Sequence, residues 1–117
     1  MTQEELQKSL KGYGVVPVIA IESVEAALPL ADALAEGGLP VAEITFRTAA
    51  GGEVIARIAK ERPNVILGAG TVLSLENLRA AKSAGASFGV APGTNPDIVA
   101  EAARLGLPFI PGVVTPS

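Results

Sequence analysis

Two short stretches hold the residue types from which chemistry can be built: VAEITFRT at 41–48 and GAGT at 68–71. Side chains alternate between the faces of a strand, so Val41, Glu43, Thr45 and Arg47 share one side, while Ala42, Ile44 and Phe46 share the other. A carboxylate and a guanidinium thus fall together on a strand of otherwise buried character. A lone carboxylate there is costly, so Glu43 needs a cation or hydrogen-bond donor beside it, or it must carry a proton. Two readings stand: a group that moves protons, or one half of a structural ion pair with Arg47, since such networks also perturb carboxylates.

Composition narrows the chemistry further. The 117 residues are 49% hydrophobic and 18% charged, the profile of a single compact domain. Aromatics make up only 3%, which leaves the core to Val, Ile, Leu and Ala. The sequence has no Cys and no His. Disulfides, thiolate- or imidazole-ligated metals and every catalytic pair built on Cys or His are therefore excluded within it. A net charge of −3 opposes a nucleic-acid partner, which would call for a basic stripe. No apolar run approaches the roughly 20 residues of a membrane span, and MTQEEL has no signal-peptide character. The expectation is a cytoplasmic protein with neither nucleic acid nor membrane as partner.

The elements that must hold these residues can be read in order. Thr2 and Glu5 have capping-box spacing and open a short helix to about Lys11, closed by Gly12. VVPVIAI at 15–21 reads as a strand covered on both faces, with Pro17 tolerable near its beginning. Ser23 caps a helix bearing Val24, Ala27, Leu28, Ala31 and Leu34, kinked or restarted by Pro29 and stopped at Gly37-Gly38. After the strand at 41–46 come a helix over about 52–62, a strand at 65–70, and a helix capped by Ser74 and stopped by Gly85. FGVA starts a further strand at Phe88, and Asn95-Pro96-Asp97 is a cap, first-turn proline and first-turn acid. A fifth strand opens at Phe109.

Strands recurring at intervals of roughly two dozen residues with helices between them predict a parallel α/β sheet. An eight-stranded barrel takes on the order of 200 residues or more. The chain either supplies part of one, about βα units 1–4 plus strand 5, or forms an open doubly wound sheet. Ligands gather at the carboxyl ends of parallel strands. That rule gathers Arg47 and Thr71 around one mouth with Glu43 a layer below, a setting suited to a small carboxylate. Gly68, Gly70, Gly93 and Gly112 leave room for a ligand, or merely permit tight turns. GAGTVL is a poor dinucleotide fingerprint, having Leu73 at its sixth position, and no P-loop is present. Lys8, Lys11, Lys60 and Lys82 all fall on predicted helices, none on a strand where burial would activate an amine.

VVPVIAI, GG followed by VAEITFRT, GAGTVL, VAPGTNPDIV and LPFIPGVVTPS resemble, in order and spacing, the N-terminal half of the bacterial 2-keto-3-deoxy-6-phosphogluconate (KDPG) and 4-hydroxy-2-oxoglutarate (KHG) aldolases. The RT after EITF separates this sequence from the related phosphogalactonate enzymes. The resemblance implies a (β/α)8 barrel, a homotrimeric cytoplasmic class I aldolase, and neither metal nor cofactor. It implies that Glu43 is the general acid/base, that Arg47 and Thr71 hold the carboxylate of the 2-keto acid's pyruvate moiety, and that Pro92 lines the pocket. KDPG would be cleaved to pyruvate and glyceraldehyde 3-phosphate, or 4-hydroxy-2-oxoglutarate to pyruvate and glyoxylate, through an imine to lysine.

In that family the imine-forming lysine belongs to a sixth strand, past Ser117. The expectation is accordingly a fragment that carries part of a site and does not catalyse by itself. The alternative is a non-catalytic half-barrel that serves binding or assembly. Either form exposes sheet edges that should associate, with further copies or with a complementary second chain.

Overall fold

In a computed structural model, which describes residues 1–116, helices and strands alternate from end to end. They are α1 (Gln3–Tyr13), β1 (Val18–Ile19), a 3-10 turn (Val24–Ala26), α2 (Ala27–Glu36), β2 (Val41–Thr45), α3 (Gly51–Glu61), β3 (Ile66–Gly70), α4 (Leu75–Ala84), β4 (Phe88–Ala91), α5 (Pro96–Leu105) and β5 (Phe109–Pro111). All neighbouring strands pair in parallel, in the order β1-β2-β3-β4-β5. A doubly wound sheet reverses its strand order at a switch point, and none occurs among the described residues. Crossovers that always step to the next strand lay α2, α3, α4 and α5 side by side, each packed on the next. The result is an arc of a βα barrel that does not close.

Local sequence explains most element ends. Ser74 Oγ accepts from Asn77 N–H at 3.0 Å, and Asn95 Oδ1 from Asp97 N–H at 3.0 Å, so each satisfies an orphan donor of its helix. Gly85 and Gly106 follow α4 and α5 at φ of 101° and 69°, left-handed caps that a β-carbon would disfavour. The first helix overruns its expected end. Gly12 stays helical and the chain turns at Gly14 instead, whose N–H bonds Leu10 O at 2.9 Å. Ser23 does not cap a backbone N–H; its hydroxyl donates to the Glu25 carboxylate at 2.9 Å. The 3-10 turn comes first and α2 begins at Ala27, which sets Pro29 in the first α-turn, where a missing N–H costs no bond.

The expected strand at 15–21 shrinks to two residues, and it is not covered on both faces. Val15 and Val18 are 60% and 57% exposed. The reason is position: β1 is an edge strand with only β2 beside it. Pro17 sits just ahead of it and uses only its carbonyl, which accepts from Glu43 N–H at 2.9 Å. The main core lies between sheet and helices, where Ala42, Ile44, Leu67 and Ala69 meet Val54, Ile55, Ile58 and Leu78. Burying each larger aliphatic contributes about 1.5–3 kcal/mol. Leu6, Val41 and Phe88 are buried apart from that cluster.

The outer edge of β5 is occupied by α1. Pro108 O accepts from Gly89 N–H at 2.9 Å, so Pro108 faces β4, and by alternation Phe109 turns both its peptide groups away from the sheet. The Gln3 side-chain amide meets them as a strand would, accepting from Phe109 N–H at 2.9 Å and donating to Phe109 O at 3.2 Å.

Candidate active site

Glu43 lies mid-strand on β2, paired in register with Gly68 of β3. Its side chain leans along the strand until the carboxylate covers Gly70, where an added β-carbon would stand 2.1 Å from Oε1. It is half-buried, and burial pushes its carboxyl above the ordinary carboxylate range, with the Arg47 charge partly opposing the rise. No ion pair joins Glu43 to Arg47 among the described residues. Arg47 lies where the strand ends were expected to bring it: β2 ends at Thr45, one residue short of the expected 41–46, and Phe46 and Arg47 begin the turn toward α3. There Arg47 is exposed, with Nε donating to Thr71 Oγ1 at 3.4 Å.

Thr71 directly follows β3 and has φ of 57°, the one positive value at a non-glycine position among the described residues. For a β-branched residue this costs about 1–2 kcal/mol. The twist lets the next residue, Val72, turn inward: it is buried, and its N–H bonds Val90 O at 3.1 Å. Thr71 is left with its hydroxyl toward Arg47. The turn after β2 is tied down from the other side, where Thr48 Oγ1 donates to Ile21 O at 2.5 Å.

Pro92 lies one strand over, exposed at the carboxyl end of β4, with its carbonyl packed against Gly112. It borders the same end of the sheet as Arg47 and Thr71 without joining their pair. Gly93 and Gly112 lie in the loops at this end. Gly68 and Gly70 do not serve turns; both are inside β3, and neither has positive φ. They provide space instead, Gly68 for the Phe88 ring and Gly70 for the Glu43 carboxylate.

Two residues of this region had no signal in the sequence. Phe88, 1% exposed, covers Gly68 next to the Glu43 layer, and only the cross-strand register reveals it. Thr45 is fully buried, and its hydroxyl has no hydrogen-bond partner among the described residues. Such an orphan costs about 1–3 kcal/mol. An apolar pocket of about 190 Å³ opens nearby between Leu73, Asn95 and Phe109, but Glu43, Arg47 and Thr71 do not line it. The four lysines are exposed on α1, α3 and α4. What the arrangement offers chemically is one carboxyl group seated on Gly70 and, beginning at the next residue, a hydroxyl and guanidinium able to grip an anionic oxygen pair.

Comparison with known proteins gives this geometry a lineage. The 2-dehydro-3-deoxy-phosphogluconate aldolase of Treponema pallidum is 47% identical over 108 residues, 92% of this chain and 51% of its own length. The KHG/KDPG aldolase of Escherichia coli K12 is 44% identical over 103 residues, 88% of this chain and 48% of its own. Among solved structures, a KDPG aldolase from Zymomonas mobilis superposes with a TM-score of 0.79 at 42% identity, covering 86% of this chain and 48% of that one. The Legionella pneumophila KDPG aldolase, captured with pyruvate as a covalent carbinolamine, superposes at 0.82 with 36% identity over 86% of this chain and 48% of that one. The chain thus spans about half the length of the curated relatives it matches. The sequence pattern of one family runs through residues 6–117, nearly the whole of it, and on that match, joined to the parallel βα arc, the chain belongs to the KDPG and KHG aldolase family.

Proposed function

We propose that residues 1–117 form the acid/base and carboxylate-gripping part of a class I aldolase site. In this reading, Arg47 and Thr71 hold the carboxylate of a 2-keto acid, Pro92 borders the pocket, and Glu43 carries protons during imine formation and carbon-carbon cleavage. The substrate is KDPG, released as pyruvate and glyceraldehyde 3-phosphate, or 4-hydroxy-2-oxoglutarate, released as pyruvate and glyoxylate. The observation that carries the reading is the Arg47–Thr71 contact at the strand ends beside a half-buried carboxyl on Gly70. The nucleophilic lysine comes from outside these residues, because Lys8, Lys11, Lys60 and Lys82 stand on exposed helix surface. No metal or cofactor is required, the location is cytoplasmic, and the complete assembly is a homotrimer.

The test is pyruvate titrated into isotope-labelled protein, followed by borohydride. Resonances of Arg47, Thr71 and Gly70 should move with roughly millimolar affinity, and intact mass should show no reduced adduct. Silence at Arg47 and Thr71 overturns the carboxylate site; a pyruvyl adduct overturns the placement of the nucleophile. A second reading, a non-catalytic half-barrel for assembly, is favoured by Val18 and Ile110, which the register sets on the concave face, 57% and 38% exposed. Under it the chain associates in solution but leaves pyruvate unbound.

A further inference from the structure

A glycine inside a strand is a poor choice unless its backbone or its surroundings demand one. Gly70 has no positive φ, so the backbone of β3 would accept any residue there. Its surroundings would not. A β-carbon at 70 would stand 2.1 Å from Oε1, 2.9 Å from Cδ and 3.0 Å from Cγ of Glu43. All three contacts are with the far end of one movable side chain. At Gly68 the matching contact is the Phe88 ring, 2.2 Å away, and that ring is buried with nowhere to go. The two glycines of GAG therefore differ in kind: one admits core packing, and the other decides where a carboxylate rests.

We propose that Gly70 is a positioning residue, whose bare α-carbon is the seat that holds the Glu43 carboxylate flat on β3, one residue below Thr71. The assignment rests on the reading of Glu43 as the proton-transfer group, and it explains how that group and the carboxylate grip keep a fixed spacing. Both are referred to the same three residues, Gly70 through Val72, where the Thr71 twist is also anchored. Any side chain at 70 forces the carboxylate off the strand toward the open mouth, while the rest of the sheet stays as it is.

Gly70→Ala and Gly68→Ala separate the two roles, read by carbon-detected titration of the Glu43 carboxyl without substrate. In Gly70→Ala, Glu43 should move back toward the ordinary glutamate range, its burial relieved, at wild-type secondary structure. In Gly68→Ala, the melting temperature should fall, and whatever folds should keep the wild-type Glu43 titration. Should Gly70→Ala fail to fold, the same change is made in Glu43→Ala, where the overlapping atoms are gone and the protein should fold normally. An unchanged Glu43 titration in folded Gly70→Ala overturns the proposal, as does equal damage from Gly70→Ala with and without the Glu43 side chain. Because no ligand enters the titration, a failure here is distinct from a failure of pyruvate to bind at Arg47 and Thr71.

Discussion

Replacing Thr71 by Asn should make the protein more stable while weakening its grip on a carboxylate. At φ of 57° a threonine holds its branched β-carbon against the following carbonyl, a strain of about 1–2 kcal/mol. Asparagine is among the few side chains that visit this region readily. The substitution also removes the hydrogen bond from Arg47, which at 3.4 Å and in solvent contributes no more than about 0.5 kcal/mol. The net gain is about 0.5–1.5 kcal/mol, a rise in Tm of roughly 2–6 °C for a domain of this size. Thr71→Val is the matched control: it keeps the branch, and hence the strain, and loses only the hydroxyl. Urea unfolding at constant slope gives the stabilities, and pyruvate titration gives the binding. Both variants should bind more weakly than wild type, and only Asn should gain stability. An Asn variant no more stable than the Val variant would refute the claim that the fold bears strain at this residue.

Two pH experiments follow from the carboxyl groups. Burial raises Glu43 above its unfolded value, so the folded state binds the proton more tightly and stability declines as pH rises through the ordinary carboxylate range. Glu43→Gln should therefore exceed wild type in stability at neutral pH, with the gap closing on acidification; a gap that widens in acid is the contrary result. Glu101 behaves oppositely. Hydrogen bonds from Arg104 and, across from α4, Arg79 hold it down at about 2. The unfolded chain takes up that proton first, so its contribution is present at neutral pH and lost as pH falls from the ordinary range toward 2. Glu101→Gln should flatten the acid limb of the stability profile, as followed by circular dichroism across pH.

How much of the fold is legible in the sequence depends on whether the cause is local. Ser74, Asn95-Pro96-Asp97 and Gly85 announce helix ends through bonds within a few residues, and all appear where the sequence puts them. The βα alternation is equally plain, because Ile44, Leu67 and Val54 repeat with the periods of strand and helix. The part-barrel is likewise readable, and the uninterrupted strand order removes the doubly wound alternative. What stays hidden is set by distant neighbours. Val15 and Val18 are as apolar as Val41 and Ile44, and only the absence of a second flanking strand exposes them. Gly68 and Gly70 look like turn formers until Phe88 and Glu43 arrive from either side. Phe46 reads as the last strand residue because alternation carries no sign of where a strand stops, and β2 ends one residue earlier. Glu43, Arg47 and Thr71 do come to one end of the sheet, whereas the twist at Thr71 leaves no mark in its composition.

The Gln3 amide on Phe109 has a consequence for how copies of this chain can meet. A parallel sheet open at both rims has unlike ends, and unlike ends that fit one another propagate head to tail into rings or fibres. Here the far rim is stoppered. Phe109 has already committed its outward N–H and C=O, and Pro111, the next residue facing that way, has no hydrogen to donate. A strand that pairs on this side of β5 must therefore first displace the Gln3 amide and the helix that carries it.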